Sequence, residues 1–286
     1  MEVLPEIIPS IALIREKIRS IHHEGKLIGL VPTMGALHDG HAELMRTARG
    51  QCDYLVTSIF VNPVQFGPNE DYDRYPRTFE ADKELCRGCG VDAIFAPTVG
   101  EMYPDGFQTY IDVTEVSKGL CGDRRPHHFR GVTTVVGKLF HIVSPDIAWF
   151  GQKDAQQVRV IRQMVKDLLF PVNIVEVPTV REPDGLALSS RNRYLTESQR
   201  TQATCLVQAL RHAEAKLKTG VRQVSQLRLE MIAIVDAMPD ARLDYIEIVD
   251  EQTLQPMTEI DRPALVALAV YFDQTRLIDN TILVPN

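Results

Sequence analysis

Apolar positions along this chain change period repeatedly, and each change marks an element. Ile11, Ile14, Ile18 and Ile21 recur at helical spacing after Pro9-Ser10 and stop at Gly25, which predicts a helix with a hydroxyl cap and a glycine end. Residues 27–31 are a short β-prone apolar run halted at Pro32, a buried strand ended by a residue that cannot donate to a ladder. Residues 33–40 carry no period. Helical spacing returns with Ala42, Leu44, Met45 and Ala48, so His38 and His41 fall in the turn that opens a helix. The alternation continues with strands at 54–61, 91–96, 146–150 and 172–177, and with helical stretches between them, clearest at 132–143 and 155–169. Strand and helix in turn predict an α/β fold with a doubly wound parallel sheet, which takes ligands at the carboxyl ends of its strands.

Beyond Pro178 the pattern shifts. Residues 181–193 form a polar loop without strand or helix period, and Thr196-Glu-Ser-Gln199 is a capping box opening a long helix to about Lys218. A second helix is predicted at 224–237. Strands follow at 243–249, 264–272 and 277–284, the last two joined as a hairpin through 273–276. Residues 1–178 are therefore expected to form a nucleotide- and acid-binding domain, and 179–286 a smaller α+β domain closing over the active site.

Composition narrows the class. A chain of 286 residues, 44% hydrophobic and 24% charged with a net charge of -7, is long enough for a large core and carries no global basic field, which argues against nucleic acid as a partner. MEVLPEIIPS lacks the basic stretch of a signal peptide, and no apolar run approaches the roughly 20 residues of a membrane helix. A cytoplasmic protein without a membrane partner is expected. Five scattered cysteines suit a reducing compartment. Cys86 and Cys89 form a C-x-x-C with no second pair for zinc, so packed or surface thiols near a helix end are expected there.

The candidate chemistry starts at the unperiodic turn. Strand, glycine-containing loop and helix N-terminus collect unpaired N–H groups and the positive end of a helix dipole, which suit an anion such as phosphate. Gly35 and Gly40 allow close backbone approach, while the spacing is neither the dinucleotide fingerprint nor the P-loop. Two readings stand for the histidines: both donate to phosphate oxygens, or one caps the helix while the other is solvated. Asn62 and Gln65, after the second strand, either bind a small hydroxy acid or form an Asn-Pro turn. Asp82 is a candidate near a nucleotide-bound magnesium, and the acidic run 69–73 reads as a solvated loop. Lys153 offers a point charge for phosphate or a charged helix cap, with Gln157 one turn further on the same face. Ser189, Ser190 and Arg191 supply hydroxyls and a guanidinium. The basic run 122–131 reads as solvated or as a subunit contact, with His128 near the substrate end but not catalytic.

PTMGALHDGH resembles the signature of the pantothenate synthetase (pantoate–β-alanine ligase) family of the HIGH-motif nucleotidyltransferase superfamily, with His38-Asp39-Gly40-His41 standing where HIGH stands. FVNPVQFGPNEDYDRYPRT, GQKDAQQ and PTVREPDGLALSSRNRYL extend the resemblance over nearly the whole chain. It implies a Rossmann-like sheet, a homodimer, and ATP with Mg2+ as reactants beside pantoate and β-alanine. It places Met34, Gly35, Ala36, Leu37, His38, Asp39, Gly40 and His41 around ATP, together with Gly151, Gln152, Lys153, Asp154, Val180, Leu188, Ser189, Ser190 and Arg191. Gln65 and Gln157 match acid-binding positions. The implied activity is an ATP-dependent ligase acting through a pantoyl adenylate. His38, His41, Lys153 and Arg191 are then the catalytic candidates, by positioning and charge stabilisation. Two rivals remain at this level: a nucleotidyltransferase that never makes an amide, and a non-catalytic nucleotide-binding module.

Overall fold

The structure is a computed structural model describing residues 4–68 and 70–285, so Asn69, the start of the acidic run, lies outside it. Contacts divide the chain into two compact units, Met1–Gly151 with Gln157–Pro178, and Gln152–Gln156 with Thr179–Asn286.

The first unit is built on β1 (Glu6–Ile8), β2 (Ile28–Thr33), β3 (Tyr54–Ile59), β4 (Ala93–Phe95), β5 (Ile147–Gly151) and β6 (Asn173–Val177), all parallel in the order β1-β4-β3-β2-β5-β6. Its helices include α1 (Ile11–His23), α2 (Asp39–Arg49), α3 (Phe79–Gly88), the short α4 (Val99–Met102) and α5 (Leu120–Arg124), α6 (His128–Val143) and α7 (Ala155–Asp167). The sheet is buried on both faces because its strands alternate. Ile28 and Leu30 of β2 pack with Ile14, Ile18 and Ile21 of α1 and with α6, while Val31 joins Met45, Cys86 and Trp149 on the α2 and α3 side. β2 neighbours both β3 and β5, so the strand order reverses between β2 and β5 and opens a crevice at their carboxyl ends.

β2 runs one turn of pleat beyond the expected stop, through Pro32 to Thr33. Ile28 exchanges bonds with Asp146, and the Thr33 carbonyl accepts from Phe60 N–H, so even-numbered residues of β2 face β5. Its pairing with β5 ends at Leu30. The missing N–H of Pro32 therefore falls where no partner is required. β1 was not predicted, since three residues show no period, and β3 ends two residues earlier than expected.

The second unit holds α8 (Glu197–Gln202), α9 (Cys205–Lys218) and α10 (Val224–Asp236) with an antiparallel sheet of β7 (Ala241–Asp250), β8 (Ala264–Phe272) and β9 (Thr275–Leu283). The capping box is present: Thr196 Oγ1 accepts from Gln199 N–H at 3.2 Å, and Gln199 Oε1 from Thr196 N–H at 3.1 Å. The single long helix is not. The Thr204 hydroxyl donates to the Thr201 carbonyl at 2.8 Å, and the ladder shifts register over Ala203 and Thr204, splitting the segment into α8 and α9. Leu206, Leu210, Leu227 and Met231 pack on Val266, Leu268 and Val270 of β8. Among the described residues no helix is long and apolar enough to cross a membrane.

Gly29, in the middle of β2, has no room for a side chain, since a Cβ there would stand 2.6 Å from Cys52 Sγ and 2.8 Å from Trp149 Cζ3. Gly29→Ala is expected to lower stability by about 1–3 kcal/mol, and Cys52→Ala to restore part of it in the double variant. Denaturant unfolding of the four proteins measures both; additive losses would show that the clash lies elsewhere.

Candidate active site

The loop after β2 owes its shape to one carboxylate. Asp82, from the first turn of α3, is buried, and its oxygens accept from Ala36 N–H at 3.0 Å, Leu37 N–H at 2.9 Å and the Thr78 hydroxyl at 3.1 Å. These bonds hold Gly35 at φ 82° and Ala36 at φ 51°, left-handed conformations that cost an alanine about 1–2 kcal/mol. A Cβ on Gly35 would lie 3.0 Å from Asp82 Oδ2. Asp82 thus braces the loop and does not fit the magnesium role expected of it, because its carboxylate is enclosed by three donors. Among the described residues no group of three or more His, Cys, Asp and Glu side chains could hold a metal ion.

The loop delivers the chain to α2, and both histidines take part in its cap. Gly40 N–H donates to His38 Nδ1 at 3.1 Å, and His38 N–H donates to His41 Nδ1 at 3.3 Å, with ring centroids 4.1 Å apart. A neutral imidazole accepting at Nδ1 carries its proton on Nε2. The two readings of this pair are therefore compatible, for one nitrogen of each ring caps the helix while the other is a donor. Asp39 is exposed, and His38, Gly40 and His41 are half-buried.

Asn62 is not placed as a substrate contact. Its amide is buried and used in full: Nδ2 donates to the Gly131 carbonyl and to Gln65 Oε1, each at 3.1 Å, and Oδ1 accepts from Val64 N–H at 3.3 Å and the Tyr103 hydroxyl at 2.8 Å. A backbone N–H on one side and a carbonyl on the other leave one orientation of this amide, which in turn leaves one for Gln65. The NH2 of Gln65 is presented toward the loop, with Nε2 2.9 Å from Met34 Sδ.

Arg125 and His128, from the basic segment that read as solvated or as a subunit contact, bond to the same residue. The Gln65 carbonyl accepts from His128 Nδ1 at 2.9 Å and Arg125 Nη2 at 3.3 Å, and Arg125 also forms a fork on Glu70 at 2.7 and 2.6 Å. Arg125 donates to His128 Nε2 at 3.1 Å, so this imidazole is neutral with its proton on Nδ1. Burial pulls the Glu70 carboxyl up, but the hydrogen bond and charge of Arg125 outweigh it and hold the group below its usual range. Gly131 lets α6 reach the turn, since a Cβ there would sit 2.6 Å from the Val64 carbonyl and Gln65 Cα. The R-P-x-H-F-x-G spacing of 125–131 was the available signal, but nothing local links it to residues 60 positions earlier.

Gly151 ends β5 at the same edge of the sheet, and Gln157 lies half-buried in α7. Gln152, Lys153 and Asp154 form a 3-10 turn of the second unit, where Lys153 Nζ is 3.9 Å from Asp154 Oδ1. The polar loop of that unit is a tight hairpin closed by Val180 to Leu188 at 3.0 Å and a bridge between Arg181 and Ala187. Ser189 Oγ then caps the turn Ser190–Tyr194 through Arg191 N–H at 3.3 Å. The C-x-x-C pair is buried beside α2, burial pushing the Cys86 thiol up to about 12 and Cys89 upward too, which keeps both inert.

A turn that carries two capped imidazoles beside a fixed amide, at the reversal point of a parallel sheet, stands where doubly wound α/β proteins take their ligands. The family model of pantoate-β-alanine ligase matches residues 6–282, and the chain belongs to that family and is a ligase. It is 54% identical over 281 residues to pantothenate synthetase of Moorella thermoacetica, covering 98% of this chain and 99% of that one. The crystal structure of pantothenate synthetase from Thermus thermophilus aligns with a TM-score of 0.91 at 44% identity, over 96% of this chain and 98% of that one. A pantoate-β-alanine ligase from Francisella tularensis, solved in complex with beta-gamma ATP and β-alanine, aligns at 0.80 with 35% identity over 97% of each chain.

Asp82→Asn puts an NH2 group against backbone donors. It is expected to cost about 1–3 kcal/mol in thermal unfolding and to raise the KM for the nucleotide. An unchanged melting temperature would show that the loop holds its shape without this brace.

Proposed function

We propose that the chain condenses pantoate with β-alanine in two steps. The pantoate carboxylate attacks the α-phosphorus of ATP, the bond to the bridging oxygen breaks, and pyrophosphate leaves. The β-alanine nitrogen then attacks the acyl carbon of the pantoyl adenylate, releasing AMP and a proton. One observation carries this reading: the Gln65 amide, at the position matching pantoate binding, adjoins Met34 in the loop matching ATP binding. An acid bound by that amide would stand next to a phosphate bound by that loop, as attack at phosphorus requires.

In this reading the Nε2–H groups of His38 and His41 donate to phosphate oxygens as charge moves onto the departing pyrophosphate. Gln157 binds the acid with Gln65. Lys153 and Arg191 add cationic charge to the triphosphate, assisted by Ser189 and Ser190. Magnesium accompanying ATP would offset the charge of its phosphate oxygens. A cytoplasmic homodimer is the setting that the family resemblance supports.

His41→Ala is expected to slow adenylate formation by about two orders of magnitude or more, the scale of one lost transition-state donor. It should also cost about 1 kcal/mol of stability through the cap. Near wild-type pyrophosphate release would remove His41 from the chemistry.

The order of release tests the mechanism itself. Enzyme with magnesium, ATP and pantoate but no amine should release about one equivalent of pyrophosphate per site and then nearly stop, because a mixed anhydride kept from water is not hydrolysed. Adding β-alanine should restart turnover with AMP and amide in equal amounts. Steady pyrophosphate release without amine, with free adenylylated product accumulating, would make the chain a nucleotidyltransferase instead.

A further inference from the structure

Two neighbouring residues of β9 hold the two loops of the second unit that carry the proposed ATP contacts. Asn280 is buried, and its Nδ2 donates to the backbone carbonyls of Gln152 at 3.0 Å and Lys153 at 2.9 Å. Carbonyls only accept, so the orientation of this amide is settled. Asp279, with its side chain 1% exposed, receives a fork from Arg181 at 2.6 and 2.9 Å, and Arg181 also donates to the Gly185 carbonyl at 3.1 Å. Asp279 Oδ1 additionally accepts from Asn280 N–H at 2.8 Å, tying the two residues together. Successive side chains of a strand leave opposite faces, so one step along β9 serves two separate loops. The register agrees: Asp279 pairs with Leu268, whose side chain lies in the core under the helices, and Asn280 with Ala267 on the other face. Gln152–Gln156 belong to the same compact unit as β9.

We propose that Asp279 and Asn280 are positioning residues for the ligase reaction. Asn280 sets Lys153 through the carbonyls of its turn, and Asp279 sets the 180–188 hairpin through Arg181. The inference rests on the reading of Lys153 as a triphosphate contact. A strand edge is a better support for such a contact than the turn alone, because a long lysine side chain aims its charge only as well as its backbone is held.

The test is a double-variant cycle on the full-length enzyme. Asn280→Asp keeps the shape but replaces both donors with acceptors facing carbonyls; Asn280→Ser is the milder substitution should the first fail to fold. Each is compared with Lys153→Ala, with the combined variant, and with Thr281→Val on the same strand. The expected result is a KM for ATP raised about tenfold by loss of the two hydrogen bonds, with the KM for pantoate unchanged. In the Lys153→Ala background the Asn280 substitution should have no further effect on ATP. Thr281→Val should leave both constants alone. Equal loss toward ATP and pantoate, or an Asn280 effect that persists in full without the Lys153 side chain, would overturn the proposal. If Lys153→Ala alone leaves ATP kinetics normal, it is the reading of Lys153 that fails.

Discussion

The carboxyl edge of the parallel sheet depends on the buried carboxylate of Asp82. A charge removed from water is tolerated only when donors replace its hydration, and here those donors are the N–H groups of Ala36 and Leu37 with the Thr78 hydroxyl. The exchange works in both directions. The loop solvates the carboxylate, and the carboxylate offsets the strain of the left-handed Ala36. From that turn the chain enters α2 with His38 at the cap and His41 behind it, each ring oriented by a backbone N–H. A carboxylate far along the chain thereby determines where two imidazoles stand.

The same logic, in amides, runs from Asn62 to Gln65. A flexible glutamine becomes a directional donor because its oxygen is occupied by Asn62, whose own orientation is dictated by Val64 N–H and the Gly131 carbonyl. Arg125 and His128 hold the backbone of that residue, and Glu70 holds Arg125. Buried polar networks of this kind are costly when incomplete and restrictive when satisfied, so the Gln65 amide is held in one pose. Gly131 admits the close approach of helix and turn that makes the network reachable.

In the second unit the corresponding support is a strand. β9 gives one face to the core under α9 and α10 and the other to the turn of Gln152 and Lys153. Histidine caps, an amide relay and a strand edge are different devices. All three convert a mobile side chain into a fixed donor or charge by securing the backbone or the ring behind it.

Much of this was legible in the chain as written. Short continuous apolar runs alternating with helical spacing reveal a doubly wound sheet because both faces of its strands must be apolar, and the unperiodic stretch 33–40 marks the turn between strand and helix. The capping box at Thr196 was readable since its two bonds span three residues. Failures came where partners are distant or competition is subtle. Pro32 continues β2 because pairing on its side has already ended, and Thr204 splits a helix by one hydroxyl bond. Asp82 and Asn62 read as ligand contacts because a carboxylate or an amide near a motif looks alike whether it faces solvent or the loop behind it. Local spacing determined most of the elements and the edge at which the first strand, loop and helix meet. Only the tertiary structure decided which of those polar groups are already consumed by the protein, because a hydrogen bond between residues 46, 69 or 127 positions apart leaves no period in the sequence.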